Sequence, residues 1–167
     1  MNTICLDAGH GYRVFGAAPS GARGNGLVED DVVFGVVDGA AAGLTNRICH
    51  ILRGHKKTVV MTRDKTWISI QKRCQVALAA KADVMVSVHC NAATNAAAKG
   101  YEIYVVRNDM RSKALALKVM ESIHTAVGDR ISCRGIKWDD QSQHSTLGVL
   151  RGTYRVMPAM LIEAGFL

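Results

Sequence analysis

Proline and aromatic side chains are scarce in this sequence of 167 residues, which holds two prolines, two tryptophans, four tyrosines and three phenylalanines. Hydrophobic residues nevertheless make up 49% of the chain, and alanine, valine and glycine are common. This composition argues against disorder and favours closely packed helices and strands. At this length we expect one compact domain over residues 1–167, built around one core.

Paired-cysteine motifs are also lacking. The five cysteines are an odd number and show no Cys-x-x-Cys spacing. This pattern indicates neither a disulfide framework nor a cysteine zinc knuckle. We therefore expect folding in a reducing compartment, with the cysteines in the core and Cys90 pointing away from the side of the strand that carries His89.

The sequence shows no signal peptide and no candidate membrane span. Residues 1–7 lack a basic region followed by a long apolar one, and no window approaches the roughly 18 apolar residues that cross a bilayer. We expect a chain that is made in the cytoplasm, does not insert into a membrane and is a monomer.

The chain is basic, with 21 Lys and Arg against 14 Asp and Glu and a net charge of +7. Such a charge favours polyanionic partners, among them nucleic acid, anionic lipid and anionic cell wall. No zinc-finger spacing, RNP-like strand or basic run interleaved with aromatics is present. We therefore expect no nucleic-acid partner.

Apolar runs and helical spacings alternate along the chain. They predict an α/β fold with one twisted, mostly parallel sheet of about six strands, flanked by helices on both faces. The predicted strands are 3–7, 58–62, 84–89, 101–106, 147–150 and 159–162; the predicted helices are 33–52, 69–80 and 111–127; the predicted loops are 16–27 and 128–145.

Side chains with metal-binding chemistry follow the predicted strands and the glycine-rich loop. His10 follows the first strand, His89 ends the third, and Glu29 follows the loop. Two histidines and a glutamate are a known donor set for catalytic zinc, and the carboxyl ends of parallel strands meet at one edge. Singly, each residue also suits an ordinary turn or helix start, and no His-Glu-x-x-His motif is present. The residues alone therefore leave both a metal site and ordinary structural positions open.

Glu163 stands at the end of the apolar segment 159–162. Burial at such a position raises the pKa of a carboxyl group and suits it to transfer a proton from water to a leaving nitrogen. A solvated carboxylate at the end of a strand is the alternative.

At these residues the sequence resembles the zinc-dependent N-acetylmuramoyl-L-alanine amidases, which cut the amide between the glycan and the stem peptide of peptidoglycan. The resemblance extends over nearly the whole chain, and its segments stand in the order found in the family. Ala8 replaces the usual proline, Tyr12 a frequent glycine and Leu78 a frequent asparagine, and none of these departures removes a ligand. The segments are 6–11, 26–32, 61–64, 82–92, 134–137, 147–151 and 157–166.

The resemblance implies one Zn²⁺ per chain, bound by His10, Glu29 and His89, with Glu163 as the catalytic carboxylate. It further implies that zinc-activated water attacks the lactyl carbonyl of muramic acid and releases the amino group of L-alanine. Four more residues are candidates for binding the substrate or orienting the site, since guanidinium and ammonium groups pair well with stem-peptide carboxylates. They are Asn91, Arg134, Lys137 and Arg151, for which a structural role or a solvated basic face is the alternative.

Two other functions stay open at this stage, a zinc peptidase acting on stem peptides and a non-catalytic peptidoglycan-binding module. Lack of an export signal favours a phage or prophage endolysin that reaches the wall after release, and an exported autolysin with a trimmed signal is the alternative. Peptidoglycan is the expected partner, with anionic wall polymers attracted by the positive charge. Relatives continue beyond this point with a last helix, which allows a wall-binding module missing after residue 167.

Overall fold

A computed structural model describes residues 2–11, 21–37, 40–41 and 43–167. Its strands are β1 (Thr3–Ala8), β2 (Arg23–Gly24), β3 (Leu27–Val28), β4 (Val36–Val37), β5 (Ala40–Ala41), β6 (Thr58–Met61), β7 (Val84–Asn91), β8 (Tyr101–Val105), β9 (Cys133–Trp138) and β10 (Ala159–Phe166). Its α-helices are α1 (Glu29–Val33), α2 (Leu44–Gly54), α3 (Ile70–Ala79), α4 (Met110–Val127) and α5 (Gly148–Arg151).

Six of the strands form one sheet in the order β6-β1-β7-β10-β8-β9. The first four run parallel to one another, β8 is antiparallel to β10, and β9 is parallel to β8. The predicted mostly parallel α/β sheet is confirmed. Its parallel strands β1, β7 and β10 end at one edge, where sites of such sheets collect.

Successive side chains of a strand point to opposite faces of the sheet, and this alternation sorts the core into two layers. Cys5, Met85 and Leu161 pack on the face covered by α3 and α5. Leu6, Val88 and Met160 belong to the same three strands but point to the other face, where they pack with α1, α2 and α4. Helices therefore cover both faces, as predicted.

The helix predicted over 33–52 is wrong. The chain forms α1, a short β4–β5 hairpin and α2 instead, while positions 38, 39 and 42 of the prediction lie outside the described residues. Glycines explain the interruption: a Cβ at Gly35 would lie 1.9 Å from the carbonyl oxygen of Asp31, and one at Gly43 would lie 2.3 Å from the backbone of Phe34. The backbone comes too close here for a continuous helix with side chains.

Two predictions for residues 128–150 are also wrong. The polar segment predicted as a loop contains β9, an edge strand whose burial is only partial. Because none of its residues is fully buried, the segment lacks the apolar run by which the other strands were predicted. The predicted strand 147–150 is largely helix α5, because so short an apolar run fits either structure. In the predicted loop 16–27, residues 16–20 lie outside the described part, and β2 pairs with β3 in the rest.

Four of the five cysteines are buried, as expected, and Cys90 packs beside Ala8 and Val88, on the face opposite His89. Cys133 is exposed, contrary to prediction, because it begins the edge strand β9. No helix in the described part of the chain is both long and apolar enough to cross a membrane.

Candidate active site

Three side chains from separate elements meet at the carboxyl edge of the sheet. His10 follows β1, Glu29 begins α1 and His89 lies near the end of β7. One donor atom from each lies within 4.8 Å of the other two. Nε2 of His10 and Nδ1 of His89 each lie 2.9 Å from a different carboxylate oxygen of Glu29. The structure therefore brings together the three residues that the sequence suggested as ligands.

Two arginines hold the turn that carries His10. His10 has a φ of 60°, in the left-handed region, which costs a non-glycine residue free energy and persists only where surrounding contacts hold it. Arg63 donates from Nε to the carbonyl of Ala8, at 2.8 Å, and Arg73 donates to the carbonyls of Ala8 and His10. These buried bonds fix the backbone from which His10 projects.

Glu29 is held from both sides of the site. One carboxylate oxygen accepts the backbone N–H of Ala22 at 2.8 Å, and the other accepts that of Cys90 at 3.0 Å. Burial by itself would raise the pKa of Glu29, but the hydrogen bonds with His10 and His89 outweigh it and hold this pKa well below its usual range. Glu29 is therefore an anion fixed between two histidines.

Glycines leave the space that these side chains occupy. A Cβ at Gly9 would lie 2.4 Å from Cε1 of His89. Gly21 has a φ of +112°, and a Cβ there would lie 2.8 Å from Oε2 of Glu29 and 2.9 Å from Cδ2 of His10. The two glycines are thus required by the positions of the histidines and the carboxylate.

The donor set fits a catalytic zinc ion. Two imidazole nitrogens and one carboxylate oxygen are donors that zinc takes, and such a site keeps a further position for water or substrate. The Glu29 side chain is only 3% exposed, whereas those of His10 and His89 are 34% and 18% exposed. The centre is anchored on the protein side and accessible from outside.

Glu163 lies beside this centre. On β10 it pairs in register with His89 of β7 and with Glu102 of β8. Its Oε2 is buried and has no hydrogen-bond partner among the described residues. Burial raises the pKa of Glu163 to about 7, helped by the charges of Glu29 and Glu102 and opposed by His89. A carboxyl group with that pKa exchanges a proton readily near neutral pH.

Two pockets adjoin the centre, and His144 and Leu147 line both. The first, here called the apolar pocket, has a volume of about 440 Å³ and combines His10 and His89 with Trp67, Ile68, Ile70 and Val149. The second, here called the polar pocket, has a volume of about 630 Å³ and includes Glu163, Glu102, Tyr104, Arg134 and Lys137. The two pockets therefore differ in chemistry, one being mainly apolar and the other lined by charged groups.

A family model described as N-acetylmuramoyl-L-alanine amidase matches residues 4–167. The chain belongs to this family. The resemblance found in the sequence is thereby confirmed.

Similar proteins agree with this membership of the amidase family. The chain is 36% identical over 165 residues to an endolysin of Bacillus phage SPP1, with 98% of this chain and 54% of the endolysin covered. It is 30% identical over 168 residues to the N-acetylmuramoyl-L-alanine amidase LytC of Bacillus subtilis (strain 168), with 99% of this chain and 29% of LytC covered. The chain thus spans about half of the first relative and less than a third of the second.

A solved structure supports the fold. The N-acetylmuramoyl-L-alanine amidase AmiC2 of Nostoc punctiforme is similar with a TM-score of 0.79 and 30% sequence identity, over 99% of this chain and 79% of that one. The α/β architecture is therefore similar to that of a solved amidase structure.

The four candidate substrate residues divide into two groups in this amidase-family chain. Asn91, Arg134 and Lys137 line the polar pocket, and each bonds to the buried Glu102. Arg151 instead pairs with the buried Asp139 and lines neither of the two pockets.

Several residues that shape the site were not assigned roles from the sequence. Arg63 and Arg73 hold the His10 turn, Glu102 gathers the cations of the polar pocket, and His144 lies between the two pockets. For Glu102 a local signal exists: it stands within the apolar strand segment 101–106, a position that favours a buried carboxylate. The carbonyls of the His10 turn that the arginines bind lie more than 50 positions away in the sequence, and no local pattern reveals them.

The buried pair of Arg63 and Asp30 allows a stability prediction. Both side chains are 0% exposed. Replacing Arg63 with Met leaves Asp30 as a buried charge without its partner, which should lower the free energy of unfolding by about 3–5 kcal/mol. Urea unfolding measures this loss. Arg107→Met, in the exposed pair with Asp140, is the matched control and should change stability little; equal losses in both variants would contradict the prediction.

Proposed function

We propose that the chain is a zinc-dependent N-acetylmuramoyl-L-alanine amidase, which hydrolyses the amide between the lactyl group of muramic acid and the L-alanine of the stem peptide. The observation that carries this proposal is the placement of Glu163, a buried carboxyl group in register with His89, next to the cluster of His10, Glu29 and His89. Membership of the amidase family supports the choice of amide.

His10, Glu29 and His89 would hold one Zn²⁺ per chain. An ion bound there would supply Lewis-acid chemistry: it would polarise the amide carbonyl and lower the pKa of water, so that hydroxide is available near neutral pH. The protein fixes the three donors without the ion: Glu29 by two backbone N–H groups, His10 by the arginine bonds to its turn, and His89 by its contact with Glu29. Such preorganisation reduces the free energy spent on ordering the site.

Glu163 moves the proton in this reaction. In its ionised form the carboxylate accepts a proton from the attacking water, and the resulting carboxylic acid donates it to the leaving nitrogen of L-alanine. Burial raises the pKa of Glu163 in the metal-free chain to about 7, and a carboxyl group with a raised pKa suits a step in which it must first accept and then donate a proton. Among the described residues no hydrogen bond reaches the buried Oε2 of Glu163, so none of them holds this oxygen in its ionised form.

A zinc titration tests the assignment of the ligands. The wild type should bind one equivalent of zinc, and His89→Ala should bind it more than about 100-fold more weakly, because even residues that only support ligands contribute 10- to 100-fold to affinity. Calorimetry on the metal-free proteins gives both values. His50→Ala, on the exposed side of α2, is the control and should bind like the wild type; unchanged affinity in His89→Ala would remove the assignment.

The two alternative functions differ from the amidase in their products. A zinc peptidase acting on stem peptides would release shorter peptides, and a binding module would hold the wall without cutting it. The geometry favours the amidase over the binding module, because a buried carboxyl group in register with His89, beside the three donors, serves proton transfer and is not needed for holding the wall.

We further propose peptidoglycan as the partner of a monomeric enzyme that acts on the cell wall after release, as an endolysin; an exported autolysin is the alternative. Likeness to a phage endolysin supports the first route. The net charge of +7 would attract the protein to anionic wall polymers. Co-sedimentation with purified walls should then fall as salt rises from about 0.05 to 0.5 M, and salt-independent binding would rule out that attraction.

A further inference from the structure

The polar pocket is organised around the buried carboxylate of Glu102, which is 3% exposed. Its Oε1 accepts two hydrogen bonds, one from Nδ2 of Asn91 at 3.0 Å and one from the hydroxyl of Tyr104 at 2.8 Å. Its Oε2 accepts Nε of Arg134 at 2.8 Å and Nζ of Lys137. Burial would raise the pKa of Glu102, but the bonds from Lys137, Arg134 and Tyr104 lower it to about 2. Glu102 is therefore a permanent anion.

The cations around Glu102 outnumber it. Arg134 and Lys137 bring two positive charges to one carboxylate, so one positive charge is left over in this cluster. Arg134 uses Nε for Glu102, and its terminal nitrogens make no hydrogen bond within the described residues. Its guanidinium also lies 5.0 Å over the ring of Phe166, which restricts its orientation. The cluster thus presents an oriented guanidinium edge to the pocket, the geometry that pairs well with a carboxylate.

The position of Glu163 sets the direction of the substrate, given the proposed function. Glu163 lines the polar pocket and not the apolar one. The group that donates a proton to the leaving nitrogen must lie on the leaving-group side of the amide, within hydrogen-bond reach of that nitrogen. The stem peptide, which carries the nitrogen, therefore extends into the polar pocket, and the glycan side extends towards Trp67 in the apolar pocket.

We propose that the polar pocket is the stem-peptide site and that Arg134, with Lys137, binds a free carboxylate of the peptide close to the scissile amide. Glu102 is the positioning residue, since its buried carboxylate holds both cations. The enzyme therefore distinguishes a stem peptide whose second residue carries a free α-carboxylate from one in which this group is a carboxamide. This inference rests on the proposed amidase function.

Two synthetic muropeptides that differ only in this carboxylate or carboxamide test the inference. For the zinc-loaded wild type, kcat/KM should be about 10- to 100-fold higher for the carboxylate, the range expected of hydrogen bonds to a charged group. In Arg134→Gln the ratio should fall at least about fivefold, while Arg134→Lys, which keeps the charge but loses the guanidinium edge, should keep only part of it. Arg107→Gln removes an exposed arginine that also bonds a carboxylate through Nε and should keep the full ratio.

A binding measurement separates this inference from the proposed function. The two free stem peptides, each beginning with L-alanine, are titrated into the same zinc-loaded proteins, and the carboxylate form should bind more tightly to the wild type but not to Arg134→Gln. A wild-type ratio near one, or an undiminished ratio in Arg134→Gln, would overturn the inference while cleavage continued. Absence of cleavage with the binding preference intact would overturn the amidase proposal and leave the carboxylate site standing.

Discussion

Replacing Glu163 with Gln should lower kcat/KM on a muropeptide by about 10²- to 10⁴-fold, the usual contribution of a positioned acid–base group. Gln has nearly the same shape but cannot take up a proton at neutral pH. The zinc affinity of the variant should change little, because Glu163 makes no hydrogen bond to His10, Glu29 or His89 within the described residues. A variant that binds zinc normally and still retains more than about a tenth of the wild-type rate would contradict the role of Glu163.

Glu163→Gln should lower activity but raise the free energy of unfolding above pH 7. Measuring this stability also controls for misfolding of the variant. Burial raises the pKa of Glu163 from 4.5 to about 7, so the folded chain binds this proton more tightly than the unfolded chain does. The metal-free wild type therefore loses stability as pH rises from about 4.5 to about 7, and Gln escapes this loss. Above pH 7 the Gln variant should be more stable by about 1–3 kcal/mol, whereas at pH 4 urea unfolding should show no such advantage.

The pH dependence of wild-type activity follows from the same group. Since Glu163 must be ionised to accept the proton, kcat/KM should decrease as the pH falls below the pKa of Glu163. A bound cation lowers the pKa of a nearby carboxyl group, so this limb should lie between about 4.5 and 7.

Replacing Gly9 with Ala should weaken zinc binding by more than about 100-fold and lower activity in parallel. The added Cβ would lie 2.4 to 2.7 Å from three atoms of the His89 ring, so the ring must leave its position. That ring is paired with Glu29 in the folded chain, and its displacement removes one of the three donors. Loss of a ligand costs more than the 10- to 100-fold typical of a supporting residue.

Gly54→Ala is the matched control for Gly9→Ala. A Cβ at Gly54 meets nothing within 4 Å, and Gly54 ends α2, where Ala is a better helix former. Both variants are compared by zinc calorimetry and by the rate on one muropeptide. Wild-type zinc affinity in Gly9→Ala would show that His89 does not need the space above Gly9.

Local sequence patterns predicted the parts of the site that stand at strand ends. His10 and His89 follow or end apolar runs, and such runs in β-α-β order must place their carboxyl ends at one edge of the sheet. Glu163 was predicted in the same way, from the apolar segment before it. For these residues the strand pattern and the fold class together limit where the side chain lies.

Contacts between distant segments set the remaining parts of the site, and these could not be predicted. Arg63 binds backbone carbonyls more than 50 residues away. Glu102 binds the cations Arg134 and Lys137 of β9, a strand that was not predicted from the sequence. The break between α1 and α2 depends on the close backbone approach at Gly35 and Gly43, which appears only when the two segments are packed together. Periodicity reports burial along one element and carries no information on such pairings.

The most direct test of the account is to identify the new amino termini released from purified peptidoglycan by the zinc-loaded protein, with a chelated sample and a zinc-restored sample in parallel. We expect N-terminal L-alanine in amounts equal to the amide bonds cut, none after chelation, and recovery with zinc. Release of peptides that begin at a later stem residue, or L-alanine termini in undiminished amount after the metal is removed, would contradict a zinc amidase built on His10, Glu29, His89 and Glu163.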